Sequence, residues 1–146
     1  MIDRDWIGRE LAPAELAIDR ARLRFFAKAI GETDPVYTDL AAARAAGYPD
    51  LPAPPTFLFA AELDAGVVER LLDAIGVPLE KLLHGEQGFS WRLAVCAGDV
   101  VTVRSRIDDI YDKKNGALEF LVKTSSVTNQ HGAHVGDMRS VLVCRH

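Results

Sequence analysis

Cysteine is scarce. Cys96 and Cys144 stand alone, with no CxxC pair and no Cys/His spacing that suits zinc. Histidine is sparse and scattered (His84, His131, His134, His146), and the closest pair, His131 and His134, flanks Gly132 in turn-like sequence. A metal there would need two further ligands from elsewhere, so neither a metal site nor a cofactor is expected. Long apolar runs are missing too. The longest, such as Phe57 to Ala61, are far too short to span a bilayer, and Met1-Ile2-Asp3-Arg4-Asp5 has no apolar leader core. An excess of positive charge is also absent: 17 Lys and Arg stand against 21 Asp and Glu, a net charge of −4. That balance argues against nucleic acid or an anionic membrane as a partner held by bulk charge. The expected setting is the cytoplasm.

The chain has 146 residues, of which 49% are hydrophobic and 26% charged, the balance of an ordinary globular protein. A chain of this length buries roughly 70% of its unfolded surface, enough for one core. No internal repeat, low-complexity run or Ser/Pro-rich linker divides it, so residues 1–146 read as a single domain. The first half is helical and the second strand-rich, an α+β order rather than alternating βαβ units.

A short strand is predicted over Pro13 to Ile18. Asp19 then caps a helix in which Leu23, Phe26, Ala27 and Ile30 share a face, and Gly31 ends it. Pro35 biases Asp34 away from helix. Thr38 or Asp39 caps a short Ala-rich helix that Gly47 ends. Prolines 49, 52, 54 and 55 exclude a regular element interior, but Pro54-Pro55-Thr56 suits the entry to the apolar stretch Phe57 to Leu63. That stretch, apolar nearly all round, is expected to be a central buried helix. Another helix follows over Val67 to Ile75. From His84 onward the period becomes two. Val101, Val103, Ser105 and Ile107 alternate with Thr102, Arg104, Arg106 and Asp108, and Leu118, Phe120 and Val122 with Glu119, Leu121 and Lys123. Asn115-Gly116 is the strongest hairpin signal. The second half is therefore expected to be an antiparallel meander of about four strands.

One segment points to chemistry. Ala29-Ile30-Gly31-Glu32-Thr33-Asp34-Pro35-Val36-Tyr37 resembles the GDxNPxH signature of the MaoC-like hydratase/dehydratase family. The flanking features follow in the same order: an amphipathic helix before the motif, an Ala-rich helix after it, a proline-rich loop into a buried helix, and Ala97-Gly98-Asp99 leading into a long strand. His84-Gly85-Glu86-Gln87, Asp109-Ile110-Tyr111 and Thr128-Asn129-Gln130 resemble the FAS1-like dehydratase subgroup. The resemblance implies a hot-dog fold, an antiparallel sheet wrapped around a long central helix, paired with a second copy or a second subunit. It implies reversible hydration of trans-2-enoyl thioesters of coenzyme A or acyl carrier protein to (3R)-3-hydroxyacyl thioesters. In the family the motif's Asp and His activate the water, and a backbone N–H at the central helix start polarises the thioester carbonyl.

This chain departs from the pattern at each catalytic position. Glu32 replaces the motif Asp, Asp34 the Asn and Tyr37 the His, while Pro54-Pro55 replaces the His-Gly pair at the helix entry. A phenol with pKa near ~10 is a poor base at neutral pH. Pro55 has no N–H, so Thr56 or Phe57 would have to serve the carbonyl. The resemblance implies ligand contacts at Gly31, Pro55, Thr56, Phe57 and His84, although Asp34 also reads as a turn stabiliser and His84 as a strand-entry histidine. Two-part enzymes of this family have one half without the dyad, and this chain resembles that half. The expectation is a subunit that shapes the acyl tunnel, as a homodimer or beside a catalytic MaoC-like chain. The alternatives are a thioester-binding module without turnover and a homodimeric hydratase using Glu32 and Tyr37. Glu32 and Tyr37 are expected on one loop beside Thr56, their side chains in the same cleft and facing a dimer-related sheet.

Overall fold

The computed structural model describes residues 1–145; His146 lies outside the described residues. Five antiparallel strands form one sheet in the order β1-β3-β4-β5-β2: Ala14–Ala17 (β1), Leu82–Trp91 (β2), Val100–Lys113 (β3), Leu118–Asn129 (β4) and His134–Arg145 (β5). Strands β3, β4 and β5 follow one another as a meander, while β2 reaches the far edge beside β5. At the Asn115-Gly116 turn both residues have positive φ and the Ala117 N–H donates to the Lys114 carbonyl, closing the β3–β4 hairpin.

Four helices cover one face: Arg20–Ala29 (α1), Leu40–Ala45 (α2), Ala60–Asp64 (α3) and Val67–Ile75 (α4). This is the curled sheet around a helix that the α+β reading anticipated. The central helix is segmented. It opens as a 3-10 turn over Phe57–Phe59, runs on as α3, and turns at Gly66, whose φ of 60° takes the chain into α4. It is also less apolar than its sequence implies, because Leu63 is exposed while Glu62 is fully buried.

Glu62 explains the sheet's inner face. Its Oε1 accepts hydrogen bonds from Ser105 Oγ on β3 (2.5 Å) and from Ser125 Oγ on β4 (3.1 Å). Lys123 Nζ on β4 donates to the same oxygen at 2.5 Å. Both charged groups are essentially inaccessible, at 0% and 1% exposure, so neither is solvated by water. Burial pushes the Lys123 ammonium below its ordinary pKa, and the Glu62 carboxylate opposes that shift. Lys123 faces Ser140 across the β4–β5 pairing, and Ser140 Oγ donates to Gln87 Oε1 on β2 at 2.6 Å. A polar seam thus crosses the inner face from β3 to the edge strand. It separates a cluster around Leu58, Ala61, Val103, Val127 and Met138 from one around Leu71, Leu72, Ile107, Leu121 and Leu142. In β4, then, Lys123 points inward with Leu121 and Glu119, while Phe120 and Val122 lie on the opposite face. Phe120 stacks on Tyr111 there, with ring centroids 4.9 Å apart.

Candidate functional site

Two helix ends build the motif region. Helix α1 begins at Asp19, whose carboxylate accepts the Arg22 N–H, and ends at Gly31 with φ of 72°. The Gly31 N–H donates to the Lys28 carbonyl and the Glu32 N–H to the Ala27 carbonyl, the paired bonds of a Schellman end. Helix α2 repeats the arrangement: Asp39 caps its start, Gly47 sits at φ of 95°, and the Tyr48 N–H donates to the Ala43 carbonyl. These two ends fix where Glu32 and Tyr48 leave the helices.

The loop between them is held by its own carboxylates. Glu32 Oε1 accepts the Thr33 and Asp34 N–H groups at 2.9 and 3.0 Å. Asp34 Oδ1 accepts the Val36 N–H at 3.0 Å and so caps the 3-10 turn Pro35–Tyr37. Tyr37, half-buried, projects from that turn into a cleft of about 260 Å³ that Tyr48, Pro54, Pro55, Leu58 and Trp91 also line. Burial raises the Tyr37 pKa above the ordinary phenol value, and the charge of Glu32, the Tyr48 phenol and Asp34 raise it further. Tyr37 is therefore a protonated donor at neutral pH.

The opposite wall comes from the segment after β2. The Ala53 N–H donates to the Val95 carbonyl and the Ala97 N–H to the Leu51 carbonyl, a short ladder that seats residues 92–95 beside the proline loop. Trp91 Nε1 donates to the Pro55 carbonyl at 2.7 Å and ties the helix entry to the end of β2. Trp91 itself lies against Gly136 of β5, where a Cβ would stand 2.5 Å from its Cε3 and 2.2 Å from the Ser90 carbonyl oxygen. Only glycine permits this approach.

The remaining sequence candidates are distributed differently. Pro55 lines the cleft, whereas Gly31, Glu32, Asp34, Thr56 and Phe57 are not among its lining residues. Phe57 is buried edge-on against Phe26, with centroids 5.2 Å apart, and its N–H donates to the Pro54 carbonyl. His84 stands at the other end of β2, packed on Phe59 with Nε2 3.1 Å from Gln87 Oε1, and does not reach the cleft. Residue-by-residue reading missed Tyr48 and Arg92. The signal for Tyr48 was present, since it directly follows the glycine that ends α2. Among the described residues no group of His, Cys, Asp and Glu could hold a metal ion, and no helix is long and apolar enough to cross a membrane.

A curled antiparallel sheet around a segmented helix, with the motif loop beside the helix entry, defines a hot-dog protein of the MaoC-like dehydratase type. Residues 5–138 match the family described as FAS1-like, dehydratase domain region, and the chain belongs to that family. It is 37% identical over 147 residues to a UPF0336 protein of Streptomyces coelicolor, covering 99% of this chain and 95% of that one. Among solved structures it resembles the C-terminally truncated HadBC (3R-hydroxyacyl-ACP dehydratase) complex of Mycobacterium tuberculosis. The TM-score is 0.81 at 26% identity, covering 95% of this chain and 97% of that one. The ChsH1-ChsH2 complex of the same organism shares the fold, with a TM-score of 0.72 at 20% identity over 93% and 88% of the chains.

Proposed function

We propose that this chain is the half of a two-part (R)-specific enoyl-thioester hydratase, or (3R)-3-hydroxyacyl-thioester dehydratase, that lacks the acid/base dyad and shapes the acyl-binding site. The observation that carries the reading is the state of the two motif positions. Glu32 does not line the cleft and its Oε1 accepts two N–H groups of its own loop, while Tyr37 has its pKa raised above the phenol value, so neither is poised to take a proton from water in the cleft. In the forward reaction hydroxide equivalent from water bonds to C3 of the enoyl group and a proton goes to C2; both transfers would be handled by the partner's Asp and His.

The free edge of β2 supports a partner. Strand β2 bonds only to β5 among the described strands and offers its other edge over Leu82–Trp91. An unpaired edge of this length is a template for another strand. Exposed Leu83 lies on this edge strand and exposed Leu93 just beyond its end. The two-subunit HadBC complex is in keeping with such pairing. Acyl carrier protein or coenzyme A would carry the thioester, and no cofactor is required.

The test is co-expression with a hot-dog chain of this family that keeps an intact GDxNPxH motif. The expected result is a stable complex that hydrates crotonyl thioester faster than the dyad-bearing chain alone. Absence of both a complex and a rate gain would refute the proposal.

A further inference from the structure

The polar side-chain groups facing the cleft are of one kind. They are the Tyr37 and Tyr48 hydroxyls, the Trp91 indole N–H and the Arg92 guanidinium, with no Asp, Glu, Asn or Gln among the lining residues. The Trp91 N–H is already taken by the Pro55 carbonyl. The remaining walls, chiefly Pro52, Pro54, Leu58, Leu93 and Val95, are apolar. Three of the usual donors are missing or taken at the helix entry. Pro54 and Pro55 have no N–H, and the Phe57 N–H is bonded to the Pro54 carbonyl. With those entry N–H groups missing or taken, the side-chain donors that line the cleft are the two phenols and Arg92.

The surroundings select the ligand. With no carboxylate in the lining, the cleft does not suit a cation. Glu32 and Asp34 stand close enough to Tyr37 to raise its pKa, and their negative charge offsets that of the Arg92 guanidinium, so a full anion is not favoured. What remains is a neutral oxygen acceptor carried on an apolar group. The volume of about 260 Å³ equals roughly eight or nine waters at about 30 Å³ each, which fits a short acyl chain.

We propose that Tyr37 and Tyr48 donate hydrogen bonds to the carbonyl oxygen of a short-chain acyl thioester seated in this cleft, with Arg92 as a third donor at its mouth. The phenols thereby do in this half what a backbone N–H at the helix entry does elsewhere in the family. The inference rests on the dyad-lacking reading and adds the residues that recognise the ligand.

The experiment compares two probes that differ only at the thioester carbonyl. S-crotonyl-N-acetylcysteamine has it; the thioether S-crotyl-N-acetylcysteamine has a methylene instead. Titration calorimetry on the isolated chain is expected to show the thioester binding roughly tenfold more tightly, the worth of one or two net hydrogen bonds. Tyr37→Phe and Tyr48→Phe should each remove most of that preference and leave thioether binding unchanged, and Arg92→Met should reduce it in part. Equal binding of the two probes, no binding of either, or equal weakening of both by the variants would overturn the proposal. Complex formation with a dyad-bearing chain is read separately. A rate gain without probe discrimination sinks only the phenol assignment, whereas discrimination without a complex sinks only the two-part reading.

Discussion

Glu32 and Glu62 are two carboxylates in opposite situations. Glu32 stands on a loop and bonds to N–H groups one and two residues away. Glu62 is sealed in the core and bonds to side chains 43, 61 and 63 residues away. The first shapes a local turn beside the cleft; the second ties the central helix to β3 and β4. The comparison teaches that a buried charge in this fold need not mark the chemistry. The cleft proposed to hold the ligand is instead lined by Tyr37 and Tyr48, with no carboxylate in its walls.

The largest expected effect tests the seam. Lys123→Met strands the Glu62 carboxylate in the core without its cation and should cost about 3–5 kcal/mol in urea unfolding. The double variant Glu62→Leu with Lys123→Met removes both charges and should recover most of that loss, because a buried pair is often no better than an apolar replacement. If the single variant is near neutral, the buried pair is not what joins helix to sheet.

Gly136→Ala comes next and probes the cleft's frame. A Cβ there meets the Ser90 carbonyl oxygen and the Trp91 ring, so a loss of about 1–3 kcal/mol is expected, with a shift in Trp91 fluorescence. An unchanged emission would mean that Trp91 is not held by this approach. Glu32→Ala is smaller still. It frees two loop N–H groups at a surface position and should cost about 1 kcal/mol, while Glu32→Gln, which keeps an acceptor oxygen, should cost less. A Glu32→Ala loss as large as that of Lys123→Met would erase the contrast between the two carboxylates.

The smallest effect concerns acid. Asp50 pairs with Arg20 and is held down to about 2, chiefly by the Arg20 hydrogen bond. A carboxylate depressed in the folded state contributes stability above its unfolded pKa, near 4, and that contribution is lost as pH falls through about 2. Asp50→Asn should therefore be slightly less stable than the parent at pH 6 and converge with it near pH 2. Parallel stability curves across that window would contradict the pairing.

What was legible in the sequence follows the range of the interaction. The Asp19 and Asp39 caps, the glycine ends at 31 and 47, and the Asn115-Gly116 hairpin depend on neighbours a few residues away, and all are where local rules put them. The alternation of β4 identified a strand but not its inward face. Lys123 looks solvent-bound by residue type, and the partner that compensates its burial, Glu62, lies 61 residues earlier. The same holds for the apolar stretch at residues 57–63, where Glu62 is masked by its neighbours. The motif positions Glu32, Asp34 and Tyr37 were legible because they are adjacent. Tyr48 and Arg92 join Tyr37 only through the proline loop and the end of β2, so sequence proximity says nothing of it.

The most direct measurement is hydration of crotonyl thioester by the purified chain alone, with Glu32→Gln beside it. A dyad-lacking half should give no rate above the uncatalysed reaction, the same in parent and variant, and gain activity only when a dyad-bearing chain is added. A clear rate from the isolated parent that disappears in Glu32→Gln would make Glu32 a working base and contradict the account.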